Sequence, residues 1–376
     1  MIEPTSPLFD GITARQVDTA RISARALLRD GDRSDTPAER TVVLLHGLLS
    51  SSLIWQEFME DLPSDLRVVA IDLRGFGGTE SLPVDATRGV GDFADDLHAV
   101  LDALEIRAAH LFGTDLGASV AAQYALDGHG ALSLTLQAPI SPYGLGGTRL
   151  DGSRLTDDGA GTGAATANAE FVRRLTARDK SDESPASPRS VFRAEFVSES
   201  YRTAREDVWV DAMLSTSTAG GNYPGDTVPS PNWPGAASGN LGVLNALAPT
   251  HFDQSALAHL GARTPVLWIH GELDAIVSDA SFLDPAHLGS LGILPDWPGA
   301  DEAPSQPMVS QTRAVLDADA ATGADVRELV VEGAGHLVHL ERPAAVRQAL
   351  LEVIGYIGHA PNPAPPTETI VLKSSD

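Results

Sequence analysis

The sequence predicts an α/β fold built on a mostly parallel sheet with helices on both faces. Short, wholly apolar runs alternate with stretches of helical periodicity, which is the pattern of strands buried beneath covering helices. Several of these runs end in Gly-containing turns, and a long segment rich in Gly, Ser, Thr, Pro and Asp splits the rhythm in two. A length of 376 residues suits one large domain with an inserted subdomain.

Taken in order, ITARQVDT and RISARALL, within residues 12–28, alternate as two strands of a hairpin. TVVLL (41–45) reads as a buried strand closed by His-Gly, and residues 53–62 as a short helix. RVVAIDL (67–73) is a second buried strand, ending in the turn-rich RGFGGTE. Val90, Phe93, Leu97, Val100, Leu101 and Leu104 fall at helical spacing. AAHLFG is a strand, LGASVAAQYAL a helix immediately after it, and LSLTLQAPI (132–140) a strand again. The compositional shift then marks a cap, with helical pieces at 169–178 and 205–214. The rhythm resumes with TPVLWIHG (264–271), ELVVEGAG (328–335) and a helix over 343–356. The expected division is a core of 1–140 plus 263–360, a cap of 141–262, and a mobile or loosely docked tail of 361–376. The long connection 278–307, which contains Trp297, is expected to line a roomy pocket.

Composition removes several classes of function. Asp and Glu number 51 against 26 Lys and Arg, a formal net charge of −25, so nucleic acid and anionic membranes would be repelled. The absence of cysteine excludes disulfides, thiolate catalysis and Cys-based metal sites. No His, Asp and Glu cluster has metal spacing, and neither G-x-G-x-x-G nor a P-loop occurs, so no cofactor is expected. The chain opens without the charge pattern of a signal peptide and has no apolar run of membrane length. The expectation is a cytoplasmic monomer or homodimer acting on a small organic molecule.

The chemistry concentrates at Gly113-Thr114-Asp115-Leu116-Gly117, between a predicted strand and a predicted helix. Small flanking residues permit a strained turn that lifts residue 115 above the sheet and aims the first helix N–H groups at it. The bland alternative is an aspartate that merely caps the helix. His46-Gly47-Leu48 closes the third predicted strand. Asp274, in HGELD, ends the next-to-last core strand as candidate acid, ahead of Asp279 and Glu272. His336, in GAGH, ends the last one as candidate base, ahead of His339.

On these motifs, with DLRGFGGTE at 72–80, GELD at 271–274 and GHLVHLERP at 335–343, the chain resembles the α/β-hydrolase superfamily over nearly its whole length. The resemblance implies an eight-stranded, mostly parallel sheet with a cap inserted after the sixth strand. Residue 115 is Asp where most members have Ser, and in this it is similar to epoxide hydrolases and haloalkane or haloacid dehalogenases. A carboxylate is already anionic, so it can displace at an sp³ carbon and form an alkyl ester. Water activated by His336 and Asp274 would hydrolyse that ester, with the N–H groups of Leu48 and Leu116 as the oxyanion hole. The sequence favours epoxide opening, with a cap tyrosine, Tyr143 or Tyr223 ahead of Tyr201, as acid, and Trp233 and Trp297 lining the pocket. Carbon–halogen cleavage comes second, since Leu116 stands where such dehalogenases usually carry Trp. Two further readings stay open. One is an ester, lactone or tailoring reaction in which Asp115 is noncovalent; the other is a ligand-binding protein on the same scaffold.

Overall fold

The computed structural model describes residues 6–31, 34–356 and 371–374. Its central sheet comprises β1 (Ile12–Asp18), β2 (Ser23–Arg29), β3 (Thr41–Leu45), β4 (Arg67–Ile71), β5 (Ala109–Thr114), β6 (Ala131–Gln137), β7 (Val266–Gly271), β8 (Val326–Val331) and β9 (Val371–Ser374). Their spatial order is β1-β2-β4-β3-β5-β6-β7-β8-β9. Pairing is parallel from β4 across to β8 and antiparallel at β1–β2, β2–β4 and β8–β9. The first eight strands are the expected set. Of the tail expected from residue 361, only 371–374 are described, and their backbone adds the ninth strand at the edge.

Burial explains why these segments became strands. β3, β4, β5 and β7 are buried at every residue, matching their unbroken apolar runs, whereas the edge strand β1 buries only Ile12 and Val17. The chain passes from β3 to β4 on one side, then returns to lay β5 on the other side of β3. That reversal opens a crevice at the C-terminal ends of β3 and β5, where α/β sheets place ligands. Aromatic rings fill the core behind it: Trp55 meets Phe112 edge-on at 4.8 Å, and Phe58 meets the same ring at 5.5 Å.

Between β6 and β7 the chain leaves the sheet. The helix Ala169–Thr176 is followed by the short helix Pro188–Val191, which runs into a π-helical turn at Phe192–Phe196, and then by the helix Glu206–Leu214. A two-stranded ribbon pairs Thr227–Pro229 with Ala236–Ser238. Between β7 and β8 the long connection contains the helix Pro285–Ser290 and leads into the helix Met308–Ala320.

Candidate active site

The turn after β5 carries Asp115 at φ 52° and ψ −118°, a conformation that a non-glycine residue adopts only under strain. Glycine on either side makes the turn feasible. A Cβ on Gly117 would lie 2.4 Å from the Leu45 carbonyl oxygen, and one on Gly113 would lie 2.2 Å from that of Gly117. Gly47 performs the same service across the crevice, since a Cβ there would sit 2.8 Å from that of Asp115. The Leu48 N–H therefore reaches the carboxylate and donates to its Oδ2 at 3.0 Å. Leu116 opens the helix Leu116–Leu126, so its N–H has no acceptor within that helix. Asp115 Oδ1 is buried and accepts no hydrogen bond.

The other two residues arrive from the ends of β7 and β8. Asp274 Oδ1 accepts from the N–H groups of Ile276 and Val277 at 2.8 and 2.9 Å, which aims Oδ2 at His336. His336 Nδ1 lies 2.9 Å from that oxygen, and its Nε2 lies 3.7 Å from Asp115 Oδ2 with no hydrogen bond of its own. All three side chains are at least nine-tenths buried. Burial alone would depress the imidazole, but the charges of Asp274 and Asp115 outweigh it and push its pKa up to about 10. The carboxylate on each edge of His336 thus favours the protonated imidazole.

Neighbouring residues hold this geometry. The Gln137 carbonyl, at the end of β6, accepts from the Asp115 N–H at 3.0 Å, and its side chain accepts from the His339 N–H at 3.0 Å. Glu341 accepts from the Gly335 N–H at 2.7 Å and from the Ser198 N–H at 3.1 Å, tying the histidine loop to the cap. His339 stacks on Trp55 at 4.2 Å, and burial drives its pKa down to about 3. His46 accepts from the Leu73 N–H at 3.0 Å, which makes it a brace for two loops.

Over Asp115 and His336 lies a cavity of about 10 Å³, room for about one water molecule. Gly47, Leu48, Leu49, Ser50 and Ile54 line it from below, Phe192, Phe196, Trp209 and Met213 from the cap, and Leu337 from the histidine loop. The expectation of a roomy pocket is therefore corrected: cap aromatics fill that space, with the Phe196 ring edge-on to His336 at 5.7 Å. The four aromatic residues expected to bind substrate do not line the cavity. The Trp233 indole donates to the Pro295 carbonyl at 2.9 Å and that of Trp297 to the Ala303 carbonyl at 3.0 Å, so both knit loops together. Tyr143 packs against Gly152, and Tyr223 is buried with its N–H on the Ser217 carbonyl. In Gly- and Pro-rich loops the bulky rings fill irregular gaps in the packing. The cap side chains that do face the site sit four apart in sequence, Phe192 with Phe196 and Trp209 with Met213. That helical spacing was the available signal. Among the described residues, no group of three or more His, Asp and Glu side chains is placed to hold a metal ion, and no helix is long and apolar enough to cross a membrane.

Sheet order, a strained turn after β5, and an acid and a histidine at the next strand ends define a protein built as a hydrolase of the α/β type. The family model for the alpha/beta hydrolase fold matches residues 40–343, and the chain belongs to that family. Among curated proteins it is similar to the probable lysophospholipase BODYGUARD 1 of Arabidopsis thaliana, 33% identical over 132 residues, 32% of this chain and 28% of that protein. It is also similar to the carboxylesterase YbfK of Bacillus subtilis, 37% identical over 79 residues, 21% of this chain and 26% of that protein. These matches thus span little more than a quarter of either relative. The crystal structure of that carboxylesterase, CesB (YbfK), superposes with a TM-score of 0.53 at 18% identity, covering 92% of this chain and 93% of the other, a likeness of fold.

Proposed function

We propose that the protein hydrolyses an ester or lactone of a small organic molecule, with Asp115 as general base and His336 as general acid. The observation that carries this reading is the placing of His336 between two carboxylates, 2.9 Å from Asp274 and 3.7 Å from Asp115. A cationic imidazole has no lone pair to take a proton from water, but its Nε2–H is ready to be donated. The base is then Asp115, through the oxygen that accepts no hydrogen bond. Water attacks the acyl carbon while its proton passes to Asp115 Oδ1. The tetrahedral oxyanion takes the N–H groups of Leu48 and Leu116, the former handed over from Asp115 Oδ2. Collapse breaks the acyl C–O bond, and the leaving alkoxide takes the His336 Nε2 proton. Return of the Asp115 proton to His336 closes the cycle, with one water consumed and an acid and an alcohol released. The names of the two matched relatives, a probable lysophospholipase and a carboxylesterase, support an ester bond as the target.

A second reading, epoxide opening through an alkyl ester on Asp115, is favoured by the hydrogen bond that holds Oδ2 and leaves Oδ1 free to attack. It lacks an acid for the alkoxide from the cap tyrosines, because no tyrosine lines the cavity. Turnover in water enriched in heavy oxygen separates the two, using a panel of nitrophenyl esters and styrene oxides. The noncovalent route puts the label in the product alone. A mass gain on the Asp115 peptide after many turnovers would sink it in favour of the covalent route.

A further inference from the structure

We propose that the site selects uncharged, predominantly apolar esters or lactones and rejects those carrying a second carboxylate or a phosphate near the scissile bond; this rests on the hydrolytic reading above. The lining is mostly apolar where it is not reacting, and its other polar groups are uncharged. Leu49, Ile54, Phe192, Phe196, Trp209 and Met213 surround Asp115 and His336, and the Ser50 hydroxyl and the Trp209 indole N–H are the further polar groups. Both are buried without a partner, two uncharged donors for a substrate oxygen. Among the described residues, neither Lys nor Arg lines the cavity.

The charge arrangement decides the class. Among the described lining residues only His336 can carry a positive charge, and it already faces two carboxylates, at 2.9 and 3.7 Å. An added anion would enter a buried site that carries a net negative charge and would find no counter-ion there. Arg205, which precedes the helix Glu206–Leu214, is committed to Glu57 at 3.3 Å and Glu60 at 3.7 Å and packs over the Phe9 ring. The molecule as a whole, with a formal charge of −25, also repels anions in solution, an effect that salt screens and the buried site does not.

The test compares nitrophenyl butyrate with the nitrophenyl monoester of succinate, equal in chain length and differing by one terminal carboxylate. Measurements at low and high salt remove long-range repulsion. The expected result is a kcat/KM for the charged ester that is lower by about 100-fold even at high salt. Met213→Arg, which places a cation on the cavity wall, is expected to narrow that gap by about tenfold. Binding of the corresponding nitroanilides, followed calorimetrically on wild type, reports selectivity without requiring hydrolysis. Equal turnover of both esters at high salt would overturn the selectivity and leave the hydrolytic reading standing. Tight binding of the neutral anilide alone, with neither ester turned over, would leave the selectivity standing and remove the hydrolytic reading. Neither turnover nor binding would overturn both.

Discussion

A buried histidine with a single acid behind it is poised to accept a proton; His336, with a second acid in front, is poised to give one. The difference is carried by residue 115, because a hydroxyl there would bring no second charge to the imidazole. The consequence is visible in pH. The His336 pKa is raised from 6.5 to about 10, so on the proposed reading the proton for general-acid work is retained in the neutral range. The kcat/KM of a non-ionising ester is expected to fall as pH rises through about 10; a rise over the same range would mean that the neutral imidazole is the working form. Stability carries the same sign. The raised pKa contributes fully below pH 6.5, and that contribution is lost as pH climbs through about 10. His336→Gln should remove this alkaline slope from denaturation curves.

At the scale of elements, the site depends on how closely two turns approach. The helix Leu116–Leu126 begins against the end of β3, and Gly117 is the contact: a Cβ would meet the carbonyl oxygens of Leu45 and His46 at 2.4 and 2.5 Å. Both are backbone atoms and cannot swing aside. Gly117→Ala is therefore expected to cost about 1–3 kcal/mol in urea unfolding and to lower kcat by pushing the Leu116 N–H off station. Gly220→Ala, whose Cβ would meet nothing within 4 Å, serves as control, with a change below about 0.5 kcal/mol. An equal loss in the two variants would refute the close-approach argument.

On the scale of the whole molecule, the segment between β6 and β7 covers the site. The helix Glu206–Leu214 brings Trp209 and Met213 onto the cavity, and it is gripped from outside. Arg205 packs 4.0 Å over the Phe9 ring and pairs with Glu57 and Glu60, while Ser6 Oγ donates to Asp211 Oδ2 at 2.6 Å. With room for about one water molecule beneath that helix, the proposed ester substrate requires it to move outward. Exposed contacts of this kind are worth about 1 kcal/mol, so Arg205→Ala should raise kcat/KM for bulky esters by about threefold to fivefold. Small esters should change less, and proteolysis within the cap should quicken. If bulky and small esters responded alike, the grip on this helix would not control entry.

The sequence by itself determined the order of strands and helices, the turn at 113–117, and the acid and histidine that follow it. Those signals are local: alternation and helical period report burial along one element, and a strained turn declares itself in its glycines. The turn after a buried strand has little freedom, so Asp115, Asp274 and His336 could be placed from their strands alone. Only the tertiary structure decided which cap side chains face the site, and it chose Phe192, Phe196, Trp209 and Met213 over Tyr143, Tyr223, Trp233 and Trp297. In loops rich in Gly and Pro no period fixes which side faces inward, and the choice rests on packing against residues far away in the chain. The upward pull on the His336 pKa was likewise invisible beforehand, because it is a sum over two carboxylates, from the ends of β5 and β7, that meet only when the sheet is assembled.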